Sequence, residues 1–224
     1  MSTASDDSAG AGPRAPVVPQ RRHTGRLVAV IITVLAVILV VVGTKVVPDE
    51  EIAAETADFD KETFGAENFP DIQAGIVKRA VDAPELAEAL ESDPEGTAEE
   101  HGNEVDGKTV YSTSFTGTVE ENESGILDLD VDDMPEGITV RVQTGPAING
   151  TELRDATGDL DFGQFTNQIE FQDAGAALNE EMKEQVIEPV DVDGLEGETV
   201  TITGAFTAVN PEAWLVTPAT LEVE

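Results

Sequence analysis

"KTVYSTSFTGTVEENESGILDLDVDDMPEGITVRVQTG", Lys108 to Gly145, carries the alternation that sets the fold. Val110, Ser112 and Ser114 alternate with Tyr111, Thr113 and Phe115. Leu127, Leu129 and Val131 alternate with Asp128, Asp130 and Asp132, and Ile138, Val140 and Val142 with Thr139, Arg141 and Gln143. A period of two puts each set on one face of a strand, so three strands with one wet face are expected. "ENESG" and "DMPEG" between them are turn chemistry.

Downstream, "DAGAALNEEMKEQVIEPV" returns to helical spacing, with Ala174, Ala177, Leu178, Met182 and Val186 on one side. "ETVTITGAFTAV" and "AWLVTPATLEVE" then read as two closing strands. The expected fold class is α+β. Residues 107–224 form a five-stranded OB-like β-barrel with one helix between the third and fourth strands.

Upstream, residues 48–106 look mainly helical. In "DAPELAEALESD", Asp82 and Pro84 supply helix-start chemistry and Leu86, Ala89 and Leu90 mark an apolar face. Phe59, Phe64 and Phe69 read as core anchors. Residues 27–47 begin with "LVAVIITVLAVILVVVG", an uncharged run without a polar stripe. At ~1.5 Å per residue the 21-residue segment spans about 30 Å, the thickness of a bilayer core. Arg21, Arg22 and Arg26 precede it and Asp49, Glu50 and Glu51 follow, so the N-terminus is expected inside and the large domain outside. A cleaved signal peptide competes, but the exit "VVGTKVVPDE" has no good A-x-A site. Residues 1–26, rich in Ser, Ala, Gly and Pro, read as a disordered cytoplasmic tail.

Composition excludes several chemistries. The 224 residues contain no cysteine, so disulfides, thiolate metal sites and a Cys nucleophile are ruled out. Two histidines, His23 and His101, lie far apart, a poor basis for a metal site or a catalytic triad. From Asp49 onward seven bases face forty-four acids. Such a surface repels nucleic acid, and its self-repulsion is eased by salt. "DLDVDDMPEG" mimics the start of a calcium loop. It has Asp133 where the turn needs Gly and Thr139 where a bidentate Glu belongs, so it reads as a solvated acidic strand face. No phosphate-binding Gly loop occurs, and no cofactor is expected.

One polar stretch remains, "RVQTGPAINGTELRDATGDLDFGQFTNQIEFQDAG", Arg141 to Gly175. Gln143, Asn149, Arg154, Asp155, Thr166, Asn167 and Gln168 are its candidate ligand-binding residues, suited to a small polar ligand such as a sugar. The competing account makes them internal partners for loop backbone and for each other.

"VQTGPAINGTELRDA", "FGQFTNQIEFQDAGAALN", "GETVTITGAF" and "WLVTPATLEV" resemble the DUF2291 family of bacterial periplasmic lipoproteins. The residues that carry the resemblance are Gln143, Gly145, Pro146, Gly150, Thr151 and Leu153 to Ala156. They continue with Phe165 to Phe171, Gly204 to Phe206, Thr217 and Pro218. It runs from about Val46 to the end. Family members read "CK(I/V)VP" after the apolar segment, whereas this chain has "TKVVP", with Thr44 at the position of the lipidated Cys. An uncleaved helix would anchor without lipid. The resemblance lends no catalytic residues. It implies a non-enzymatic accessory or binding role at the membrane, with a sugar ABC transporter or its substrate-binding protein as partner. A purely structural envelope protein is the alternative. A carboxylate-pair hydrolase is the weakest, since it needs two acids facing each other across a cleft.

Overall fold

In the computed structural model, residues 59–224 are described; the tail and apolar segment at residues 1–47 lie outside them. Among the described residues no helix is long and apolar enough to cross a membrane.

The described residues open with α1 (Lys61–Arg79), capped by the Asp60 carboxylate, which accepts the Thr63 N–H at 3.1 Å. That bond to the backbone holds the Asp60 carboxyl below its ordinary range. β1 (Val81–Asp82), α2 (Ala83–Ser92), α3 (Pro94–His101) and β2 (Gly102–Val105) follow. α2 and α3 both begin with proline in the first turn, where its missing N–H costs nothing.

The sheet is built on β3 (Lys108–Glu123), β4 (Ile126–Val131), β5 (Thr139–Gln143), β6 (Thr199–Thr207) and β7 (Ala213–Val223). β3 pairs with β4, β4 with β5, β7 with β6, and β6 with β3, all antiparallel, while β5 and β7 are parallel. The pairings return to their start, so they form a closed ring. The α+β class and the strand–strand–strand–helix–strand–strand order hold. α5 (Gln168–Met182) sits between β5 and β6, after α4 (Glu152–Asp155), and runs on into a π-helical turn at Lys183–Ile187. Ala174, Ala177, Leu178, Met182 and Val186 are all buried, as the helical period requires.

Three expectations are corrected. The sheet has seven strands rather than five, because β1 and β2, within the stretch read as helical, pair with β3. Two- and four-residue strands are too short to show a period. Second, the first half of β3 has no wet face: Val110, Tyr111, Ser112 and Thr113 are all buried. α1, α2 and α3 all pack against β3, a cover that alternation alone does not reveal. Third, the helix begins at Gln168 rather than Asp173.

Leu127, Val140, Val142, Ile202 and Trp214, on the strands of the ring, are at most 1% exposed. Trp214 stacks on Phe206 at 4.3 Å between ring centres, and its N–H donates to the Pro211 carbonyl at 2.9 Å. That bond satisfies the single polar atom of the largest core side chain. Of the three phenylalanines expected as anchors, Phe69 is fully buried, while Phe59 and Phe64 are half-buried in an outer aromatic cluster.

Candidate functional site

Arg154 is the centre of the polar stretch and is only 4% exposed. Its Nε donates to Asp155 Oδ1 at 2.7 Å and a terminal nitrogen to Asp155 Oδ2 at 3.0 Å, a two-pronged pair. The other terminal nitrogen donates to the Phe171 carbonyl at 2.8 Å, and the guanidinium carbon lies 3.5 Å from the centre of the Phe171 ring. Asp155 is met in turn: Oδ2 accepts the Thr151 hydroxyl at 2.6 Å, and its backbone carbonyl accepts Asn103 at 2.6 Å. A lone buried charge would cost several kcal/mol, which is why each prong has a partner. The effect is to fix α4 to α5 on one side and to β2 on the other.

Asn167 does different work. Its Oδ1 accepts the N–H groups of Ile169 at 2.9 Å and Glu170 at 3.0 Å, capping α5. Glu170 reaches back to the Thr166 N–H at 2.9 Å, so Thr166 takes part through its backbone. Gln143 forms a third group. Its amide donates to the Asn149 carbonyl at 3.2 Å and the Thr217 hydroxyl at 2.9 Å, and its carbonyl accepts the Asn149 N–H at 3.3 Å. The loop after β5 is thereby clamped to β7. The seven candidates therefore fall into three separate sets. Gln143, Arg154 and Asp155 are buried, Asn167 is half-buried, and Asn149, Thr166 and Gln168 are exposed. Clefts of about 340 to 430 Å³ lie elsewhere: between α1 and α5, between α2 and the loops at Gly137 and Pro211, beside Gly145, and beside Asp132.

Sequence reasoning missed Asn179. It donates to the Gly150 carbonyl at 3.1 Å, is 5% exposed, and its Oδ1 has no partner. Glu152 Oε2, close to Gly150, is also without one, although Oε1 accepts the Thr207 hydroxyl at 3.1 Å. A signal existed, since Asn179 falls at i+4 from Gly175 and i−3 from Met182, on the buried stripe of α5. Among the described residues no group of His, Asp and Glu is placed to hold a metal ion.

Residues 34–222 match the family model described as a predicted periplasmic lipoprotein, DUF2291. The chain belongs to the DUF2291 family. The match spans the polar stretch and all seven strands, and begins inside the apolar segment. DUF2291's description implies an extracytoplasmic, membrane-associated protein. No curated protein matches the chain. Among solved structures it is similar to an OB-fold protein from Thermotoga maritima. The identity is 21%, the TM-score 0.62, and the likeness covers 74% of this chain and 99% of that one. At that identity the likeness concerns the fold, and it agrees with the ring of five long strands.

Proposed function

We propose that this DUF2291 protein is an extracytoplasmic, membrane-anchored, non-enzymatic accessory module, and that its outer domain is an OB-like barrel. The observation that carries this is the inward use of its polar stretch. Arg154, Asp155 and Gln143, the residue types best suited to gripping a substrate, are buried against one another and against backbone. The surface left for recognition suits a protein partner better than a reacting small molecule. A lipoprotein-type lipid is attached through a cysteine, and the chain has none. The uncharged segment from Leu27 to Gly43 is the feature able to replace it.

A sugar ABC transporter is the proposed partner, supported by the family resemblance. Crosslinking in native membranes followed by affinity purification of the full chain tests this. Transporter subunits should be recovered with it in defined ratio. Recovery of the chain alone would favour a structural envelope role.

A second reading keeps a small polar ligand. Its support is the pair of unpartnered acceptors, Asn179 Oδ1 and Glu152 Oε2, beside the exposed Asn149–Gly150 turn. Polyol hydroxyls would supply the missing donors. A ligand of the folded form must raise the melting point, with about 2.7 kcal/mol of stabilisation at a hundredfold excess over Kd. A panel of sugars giving no shift would remove this reading.

A further inference from the structure

Five of the eight phenylalanines form one chain of ring contacts on the outside of the molecule. Phe59 meets Phe64 at 5.1 Å and Phe165 at 6.2 Å, and Phe171 meets Phe165 at 5.3 Å and Phe162 at 5.7 Å. Phe171 is the buried root, pinned by Arg154. Phe162 at the outer end is 50% exposed, and so is Ile169, in the first turn of α5. Isolated exposed apolar residues are ordinary, but a half-exposed Phe at the end of a chain of ring contacts, with a half-exposed Ile in the adjoining helix turn, offers a contact surface.

The route of the chain says which contact. Phe59 belongs to the cluster and is also where the described domain begins. Eleven residues, 48–58, separate it from the end of the apolar segment at Val47. Even fully extended they reach only about 40 Å. Through Phe59, one end of the cluster adjoins the start of the tether in the chain. Its flanks carry the acids Asp60 and Asp161, while the adjoining Lys61 is held in an ion pair with Asp173 at 2.7 Å. They make an anionic surface a poor partner and leave apolar contact as the attraction.

We infer that the Phe162–Ile169 surface is a membrane-contact face that rests on the interfacial zone of the bilayer, with Phe and Ile entering it as apolar side chains. This rests on the membrane-anchor reading above. The contact is expected to be stronger on zwitterionic than on anionic lipid, and to strengthen on anionic lipid as salt rises.

The absence of native cysteine makes the test direct. Phe162→Cys, Ile169→Cys and, as an exposed reference, Val209→Cys are made singly in the full chain, checked for unchanged melting, spin-labelled and reconstituted in phosphatidylcholine vesicles. Labels at 162 and 169 should relax several-fold more with a lipid-soluble agent than the label at 209, and less with a water-soluble one. Equal exposure of all three to the water-soluble agent overturns the inference. Shielding of 162 and 169 from both agents also overturns it, in favour of a protein or a second copy. Flotation separates the two failures. A chain that does not float with the vesicles loses the anchor and this inference together, whereas one that floats with labels 162 and 169 in water loses only the inference.

Discussion

Arg154 is held by three hydrogen bonds and an aromatic face, and among the described residues its partner Asp155 has no second cation. Arg154→Ala leaves that carboxylate buried and unpaired and should cost about 3–5 kcal/mol in urea unfolding. Arg154→Lys should recover only part of the loss, since an ammonium cannot reproduce the planar fork. Asn149→Ala and Gln168→Ala, both at exposed side chains, should stay within about 0.5 kcal/mol. Full stability of Arg154→Ala would overturn the internal role assigned here. Tyr111 offers a pH test. Burial raises its pKa above the ordinary 10.0, against an opposing hydrogen bond with Thr109. The unfolded chain then releases the proton first, so stability is intact below about pH 10 and falls as pH rises beyond it. As the chain's single tyrosine, it can be followed by ultraviolet absorbance. The residue types in the polar stretch were legible in sequence, and so were both of their possible uses. Which use prevails depends on whether Arg154 faces Phe171 or water, and no spacing rule carries that information.

Among elements, α5 has the clearest dependence on single groups. Asn167→Ala removes the acceptor for two N–H groups and should lower stability by about 1 kcal/mol, with Asn167→Asp retaining most of it. The same Asn and the Glu three residues later form a helix-start signature. Asn167 reads equally as a ligand residue, and with Asn167 in that role the helical spacing begins only at Asp173, five residues after the observed start. The contact of α1 with α5 depends on Gly65. A Cβ there would lie 2.7 Å from the Ala177 carbonyl oxygen, so Gly65→Ala should force the helices apart and cost about 1–3 kcal/mol by thermal melting. β3, β4 and β5 were legible because each alternates over enough residues to show its period, and β6 and β7 as runs rich in Val, Ile, Thr and aromatic residues. β1 and β2 were not, and the cover that α1, α2 and α3 give β3 is a tertiary fact that a strand's own pattern cannot reveal.

At the scale of the whole molecule, charge dominates: the formal net charge is −34. The described ion pairs with Lys or Arg are few, Lys61–Asp173, Arg154–Asp155 and Lys183–Glu180. Most acids therefore repel one another without compensation. The melting temperature should climb as NaCl rises from millimolar to molar, steeply at first as the Debye length shrinks. A steady fall would show that the acidic surface is not a source of strain. The closed ring of strands has a further consequence, one of timing. Val110 of β3 meets Thr207 and Thr118 meets Thr199, so the partner of β3 is made long after β3 itself. Until β6 emerges, the first long strand has one edge bare, in a chain that must also leave the cytoplasm if the anchor reading holds. Contacts so distant in sequence form slowly, and an uncovered edge recruits other chains. A chain ending before Thr199 would keep that edge permanently. The vulnerable period of this protein is thus its synthesis, before β6 is made and covers the open edge of β3.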